Sequence, residues 1–137
     1  MVANDLKTIT LTTDGLEKLE KLLANFCAQT NIIWAILITS TGHLLAQRGF
    51  VYSFDVLTIA ALTSNIFNST MELARLIGER KFNELLQEGK NFSIYYITVD
   101  ANYLLVSMFD DRTIPGVVKV ASEEFSNTVH KIVQGEF

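Results

Sequence analysis

The sequence predicts an α/β (α+β) sandwich, in which a five-stranded, mostly antiparallel sheet carries helices on both faces. Five short segments have strand-like patterns and are bounded by turn residues. Three longer segments carry apolar residues at helical spacing, and the order is helix, two strands, helix, three strands, helix. The length of 137 residues suits one domain with one core. We expect the central helix on one face of the sheet and the two terminal helices on the other.

Composition and charge narrow the class of function. The chain is 49% hydrophobic with a single proline, as expected of a folded domain. Its 11 basic and 15 acidic residues are spread along the chain, and no basic stripe offers the footprint that nucleic acid requires. The single cysteine, Cys27, cannot form an internal disulfide, so we expect a reducing, cytoplasmic setting.

Two parts of the sequence, its N-terminal residues and a long stretch without charge, bear on whether the protein is secreted or inserted in a membrane. Residues 1–13 are predicted as an N-terminal tail or an added strand, without a secretory pattern, and residues 14–137 as a single domain. No charge lies between Lys21 and Arg48, but polar residues interrupt that stretch. Its continuous apolar part, Ile32–Ile38, is far shorter than the roughly 20 residues of a membrane span. We therefore expect a buried strand and no membrane insertion.

The first half of the chain begins with a helix and a hairpin. Asp14 is a candidate N-cap for an amphipathic helix over residues 15–29, with Glu17 completing a capping box. Residues 32–38 are apolar on both faces, which indicates a central strand covered from both sides. The turn at residues 40–43 leads into a second strand over residues 44–48.

The central helix, predicted over residues 54–77 with Gly78 as its C-terminal cap, is apolar in two directions. One stripe is predicted to face the core: Ile59, Leu62, Ile66, Leu73 and Ile77. A second apolar shoulder lies about 90° round the helix if each residue advances 100°: Val56, Ala60, Phe67 and Met71. Because such a helix is buried on more than one side, we assign the second shoulder to a dimer interface.

Three strands and a helix complete the chain. Residues 81–87 form a weak, polar strand of the kind found at sheet edges, and we add Phe82, Glu84 and Leu86 to the dimer interface. Residues 92–99 and 103–109 are predicted as two strands joined by a tight hairpin. Thr113 is the expected cap of a last helix, whose predicted buried face comprises Val118, Ala121, Phe125, Val129 and Ile132.

No motif for catalysis, cofactor or metal binding emerges. The glycine-rich loops that cradle phosphates are missing from the sequence. The two histidines, His43 and His130, are interpreted as solvated side chains and Cys27 as an inert thiol. We therefore predict no catalytic residue, no cofactor and no metal ligand.

Adjacent charges before the last helix allow two interpretations. Asp110 and Asp111 could bind a metal, but carboxylates at this place more often complement the helix dipole. Arg112 could supply charge to a partner's phosphoryl-transfer site, as an arginine finger does. A salt bridge between Arg112 and one of these aspartates is the favoured interpretation.

A polar row on the central helix is the candidate partner-binding site. It comprises Ala61, Asn65, Asn68, Glu72 and Arg75. Such a row is usually only solvated, but beside a dimer seam it would form a composite surface shared by two helices.

Four ordered segments resemble the Roadblock/LC7 domain family, and within it the bacterial gliding-motility regulators. These are residues 36–45, the opening (60–63) and closing (73–79) parts of the central helix, and residues 103–118. Together they span about residues 14–134, although the middle of the helix, residues 64–72, is bulkier than the Ala- and Gly-rich pattern of those regulators.

The resemblance implies a homodimer in which edge strands and central helices of two subunits meet. It also implies a regulator of a small Ras-like GTPase, which stimulates hydrolysis by favouring the competent conformation rather than by inserting a catalytic residue. The alternative is a dimeric scaffold of the dynein light chain type. A small-molecule sensor ranks last, because the sequence offers no convergent polar cluster.

Overall fold

The computed structural model describes residues 13–49 and 55–133, and most of the predicted tail lies outside the described residues. Within them the chain forms three helices and five strands in the predicted order. The elements are α1 (Thr13–Thr30), β1 (Trp34–Thr39), β2 (Leu44–Gly49), α2 (Val56–Leu76), β3 (Glu84–Glu88), β4 (Ser93–Val99), β5 (Tyr103–Phe109) and α3 (Pro115–Val133).

The five strands form one sheet in the order β2-β1-β5-β4-β3, and every neighbouring pair is antiparallel. At its centre, Val106 of β5 lies opposite Ile36 of β1 on one side and Tyr96 of β4 on the other. The two edges are β2 and β3, which confirms the edge position predicted for the polar strand.

Each face of the sheet has its own core, since successive side chains of a strand point to opposite faces. In β1, Ala35 and Leu37 join the cluster beneath α1 and α3, whereas Ile36 and Ile38 join the cluster beneath α2. Both strand faces are therefore buried, as the apolar run at residues 32–38 predicted. The arrangement of one central helix opposite two terminal helices is confirmed.

The ends of α2 follow from capping chemistry. The Asp55 side chain accepts hydrogen bonds from the backbone N–H groups of Leu57 and Thr58, both at 3.2 Å. At the other end Gly78 adopts a φ of +82°, and the Glu79 N–H donates to the Ala74 carbonyl at 2.8 Å. A glycine is suited to this left-handed position, and the predicted C-terminal cap is confirmed.

Some predicted boundaries shift. Because α1 begins at Thr13, Asp14 lies in its first turn, where its carboxylate pairs with Lys18 at 3.3 Å instead of capping the helix. The last helix begins at Pro115, so Thr113 does not cap it. The third strand starts at Glu84, three residues later than predicted.

Candidate interaction surfaces of the central helix

The face of α2 that packs on the sheet carries the residues predicted for the dimer interface. Ala60 is fully buried and Phe67 is only 4% exposed. The Phe67 ring stacks on Tyr96 of β4, with centroids 6.4 Å apart. Val56 and Met71 are half-buried against the same cluster. The prediction of Ala60 and Phe67 as dimer contacts is therefore wrong, because the protomer's own sheet already covers them.

The stripe predicted as core faces outward. Leu62 is 56%, Ile66 36% and Leu73 52% exposed; we call these three residues the outer apolar stripe. Ile77 is also exposed and Ile59 is only half-buried. The sequence thus indicates two apolar sides of α2 correctly, but the side that meets the sheet is the one that was predicted to face a second subunit.

Close packing explains this difference. A Cβ built on Gly42, in the β1–β2 turn, would lie 2.9 Å from Ser64 Oγ of α2. The face of α2 that fits against the sheet and this turn has mostly small side chains, because its buried positions are Ala60, Thr63, Ser64 and Ala74 together with one aromatic residue, Phe67. A row of leucines on that side would hold the helix away from the sheet. The alternation of small residues with one aromatic was the signal that could have identified this face.

The β3 edge offers a second open surface. Glu84 is exposed, Leu86 is 37% exposed and Phe82, just before the strand, is half-buried. The Tyr95 hydroxyl donates to Glu84 Oε2 at 2.6 Å, and Lys119 Nζ lies 3.1 Å from Oε1. These contacts, the Tyr95 hydrogen bond first, lower the pKa of Glu84. No described strand pairs with the outer side of β3.

All five residues of the predicted polar row are exposed on α2: Ala61, Asn65, Asn68, Glu72 and Arg75. The row lies about 120° round the helix from the outer apolar stripe, at 3.6 residues per turn. Arg75 Nε donates to Glu72 Oε1 at 3.1 Å, so these two charges neutralise each other. Asn68 Nδ2 donates to the Ser40 carbonyl at 3.0 Å and fixes the row to the β1–β2 turn.

The charges before α3 form the predicted salt bridge. Arg112 Nε lies 3.0 Å from Asp110 Oδ1, and the Arg112 backbone N–H donates to the same oxygen at 3.1 Å. The guanidinium lowers the pKa of Asp110. This geometry confirms the predicted salt bridge between Arg112 and one of the two preceding aspartates.

The remaining reactive side chains are held in ordinary settings. Burial raises the pKa of the Cys27 thiol to about 11 against a weaker opposing effect of Arg48, so the thiol is protonated at neutral pH. His43 is exposed and contacts Thr41, and His130 Nδ1 lies 2.5 Å from Asp100 Oδ1.

In the part of the chain that is described, no three His, Cys, Asp or Glu residues are grouped to hold a metal ion. No described helix has the length and apolarity needed to cross a membrane.

The sequence profile of the Roadblock/LC7 domain matches residues 18–109. The chain belongs to the Roadblock/LC7 domain family. Its fold is similar to that of Myxococcus xanthus MglB, with a TM-score of 0.84 and 28% identity over 88% of this chain and 90% of that one. A gliding protein MglB from Thermus thermophilus gives a TM-score of 0.82 and 26% identity over 91% of this chain and 95% of that one.

A third solved structure is an MglB with a tetrameric arrangement, at a TM-score of 0.82 and 25% identity, covering 93% of this chain and 96% of that one. No curated protein matches the chain. The predicted resemblance is confirmed, and the chain has the fold of Roadblock-type regulators and adaptors.

Proposed function

We propose that this chain is a homodimeric regulator of a small, MglA-like bacterial GTPase of the Ras-like class. The similarity to MglB structures, at 25–28% identity over about nine-tenths of the chain, supports a regulator of that kind. The rest of the proposal concerns which surfaces of this chain meet a second copy and which meet the GTPase.

The observation that carries the proposal is the outer apolar stripe. Leucine and isoleucine side chains in a row on one helix, half exposed in the protomer, favour burial against another apolar surface. Burial of apolar surface is favourable by about 25 cal/mol of hydrophobic free energy for each square ångström removed from water. In a dimer with twofold symmetry the same patch of both subunits meets, so a second α2 would supply a matching stripe.

The β3 edge supports the same arrangement. No described strand pairs with its outer side, so its backbone groups could continue the sheet into a second copy, with Glu84 and Leu86 at the proposed subunit contact. The two polar rows, each about 120° round α2 from an outer stripe, would then lie on the flanks of the seam. A single GTPase could contact residues of both subunits.

The mechanism that we propose is conformational selection. Arg75 and Arg112 are each held by a carboxylate of their own chain, which supports a role other than that of an arginine finger. A regulator that binds the hydrolysis-competent state more tightly raises its population, and a shift from 1:99 to 99:1 needs about 10⁴-fold tighter binding.

The test is GTP turnover by a purified MglA-like GTPase with and without this protein. Acceleration that saturates with the concentration of the dimer is the expected result. If the protein neither accelerates GTP turnover nor forms a complex with the GTPase, the proposal is refuted. A complex without acceleration would favour the dimeric scaffold instead, since the outer stripe and the β3 edge would serve an assembly equally well.

A further inference from the structure

The polar row of α2 is continuous with two hairpin turns of the sheet. Asn68 of the row donates from Nδ2 to the Ser40 carbonyl in the β1–β2 turn at 3.0 Å. The Ser40 N–H in turn donates to the Asn102 carbonyl in the β4–β5 turn, also at 3.0 Å. Three segments distant in sequence therefore form one surface at one end of the sheet.

Internal contacts hold both turns in place. In the first turn, Thr39 Oγ1 accepts from the His43 backbone N–H at 3.0 Å and contacts Thr41 Oγ1 at 3.0 Å. In the second, Asp100 and Ala101 both adopt positive φ, 49° and 60°, as in a type I′ turn. A surface that is ordered beforehand loses less conformational entropy when a partner binds.

A small notch lies where the three segments meet. Its volume is about 90 Å³, which equals the share of about three water molecules at roughly 30 Å³ each. Phe67, Met71 and Leu104 line its apolar part, and Ser40 and Asn68 lie at its polar side. The notch has room for one aliphatic side chain.

None of the residues that line the notch is charged, although 19% of the chain is charged. The exposed polar side chains around the notch belong to Ser40, Thr41, His43, Asn65 and Asn68, whereas Glu72 and Arg75 lie one turn further along α2 and pair with each other. The nearest acidic side chain along the second turn, Asp100, pairs with His130 of α3. Depletion of charge is typical of the centre of protein interfaces, and here it favours an uncharged partner segment.

We propose that the GTPase docks across this three-part surface and inserts one aliphatic side chain of an uncharged segment into the notch. The carboxamides and hydroxyls at its rim then hydrogen-bond to the backbone of that segment. An apolar anchor in a desolvated pocket with a polar rim is the usual composition of a binding hot spot. The proposal rests on the proposed function, because it names where that partner binds.

The experiment uses the full-length protein and an MglA-like GTPase loaded with a non-hydrolysable GTP analogue, with the Kd measured by titration calorimetry. Asn68→Asp and, separately, Asn65→Asp place a charge on the surface, and each should raise the Kd about tenfold or more. Asn127→Asp makes the same change on the exposed side of α3 and should leave the Kd unchanged. Raising the salt from about 50 to 500 mM should change the wild-type Kd less than about threefold.

The outcomes separate the two proposals. If the wild-type protein binds no GTPase, the proposed function and this docking surface both fail. If it binds and the Asn65 and Asn68 variants bind equally well, only the docking surface is overturned. Strong weakening by salt would also contradict it, because a charged segment would then carry the binding. Unchanged melting temperatures and dimer mass serve as controls for folding.

Discussion

The two apolar faces of α2 have different surroundings. The inner face, with Ala60 and Phe67, lies against the sheet and is almost fully buried. The outer face, with Leu62 and Leu73, is more than half exposed in the protomer. Both faces are apolar, so hydrophobicity alone does not distinguish a side that stabilises the protomer from a side available to another chain. Side-chain size does distinguish them, because only the inner face has the small residues that close packing on the sheet requires.

The largest expected difference between the faces is in protomer stability. Phe67→Ala should lower the free energy of unfolding by about 3–5 kcal/mol at every protein concentration, because it leaves a cavity beside Tyr96. Leu62→Ala should lower the apparent stability only at concentrations where the dimer forms. Urea denaturation at two protein concentrations, far apart, separates these effects. Equal losses for both variants in dilute solution would mean that the faces do not differ as described.

The polar row sharpens the comparison, since it is exposed and yet assigned to a partner. Arg75→Ala should weaken GTPase binding about three- to tenfold and leave both the dimer and the melting temperature unchanged, because the exposed pair with Glu72 adds little to stability. Calorimetry and light scattering measure the two properties. An unchanged affinity would remove Arg75 from the partner site.

A substitution at Ala101, in the β4–β5 turn that borders the notch, tests whether the backbone of this turn is strained. Ala101 holds a φ of 60°, which glycine adopts without steric cost. Ala101→Gly should therefore stabilise the protomer by up to about 1 kcal/mol in urea denaturation. Ala61→Gly, in the helix interior, is the matched control and should destabilise it by a similar amount. A loss of stability in Ala101→Gly would contradict the turn geometry.

The smallest effect concerns the β3 edge and pH. The pKa of Glu84 is lower in the folded protein than in the unfolded chain, where it is about 4.3. The ionised carboxylate therefore adds to the free energy of unfolding above the unfolded-state pKa, and this stabilisation is lost as the pH falls through the folded-state pKa. Between about pH 5 and pH 3 the wild type should therefore lose slightly more stability than Glu84→Gln. Melting curves across this range measure the difference, and parallel pH profiles would exclude a role for this carboxylate.

Most of the fold follows from local patterns. The alternation and apolar runs of β1, β4 and β5, and the spacing of Val118, Phe125 and Val129 in α3, predicted elements that the structure contains. The inner face of α2 was harder to predict. The helical spacing of its apolar residues gives two apolar stripes and does not indicate which of them meets the sheet. That choice depends on the approach of Gly42 to Ser64, a contact between segments distant in sequence.

The candidate site was predictable in part. The exposed residues of the polar row share one helix, so their spacing identifies them. The hydrogen bond from Asn68 to Ser40, 28 residues away, depends on how α2 crosses the sheet and leaves no local pattern. The proximity of Arg48 to Cys27 is of the same kind.

The central claim is that the outer apolar stripe of α2, and not its inner face, joins two copies of the chain. Light scattering of Leu73→Glu, with Glu72→Leu as a neighbouring control that adds no charge to the stripe, tests it directly. We expect a monomer of about 15.4 kDa for Leu73→Glu, with a folded-protein circular dichroism spectrum, and a dimer for the wild type and the control. A Leu73→Glu protein that remains dimeric, or a wild type that is monomeric at high concentration, would contradict the account.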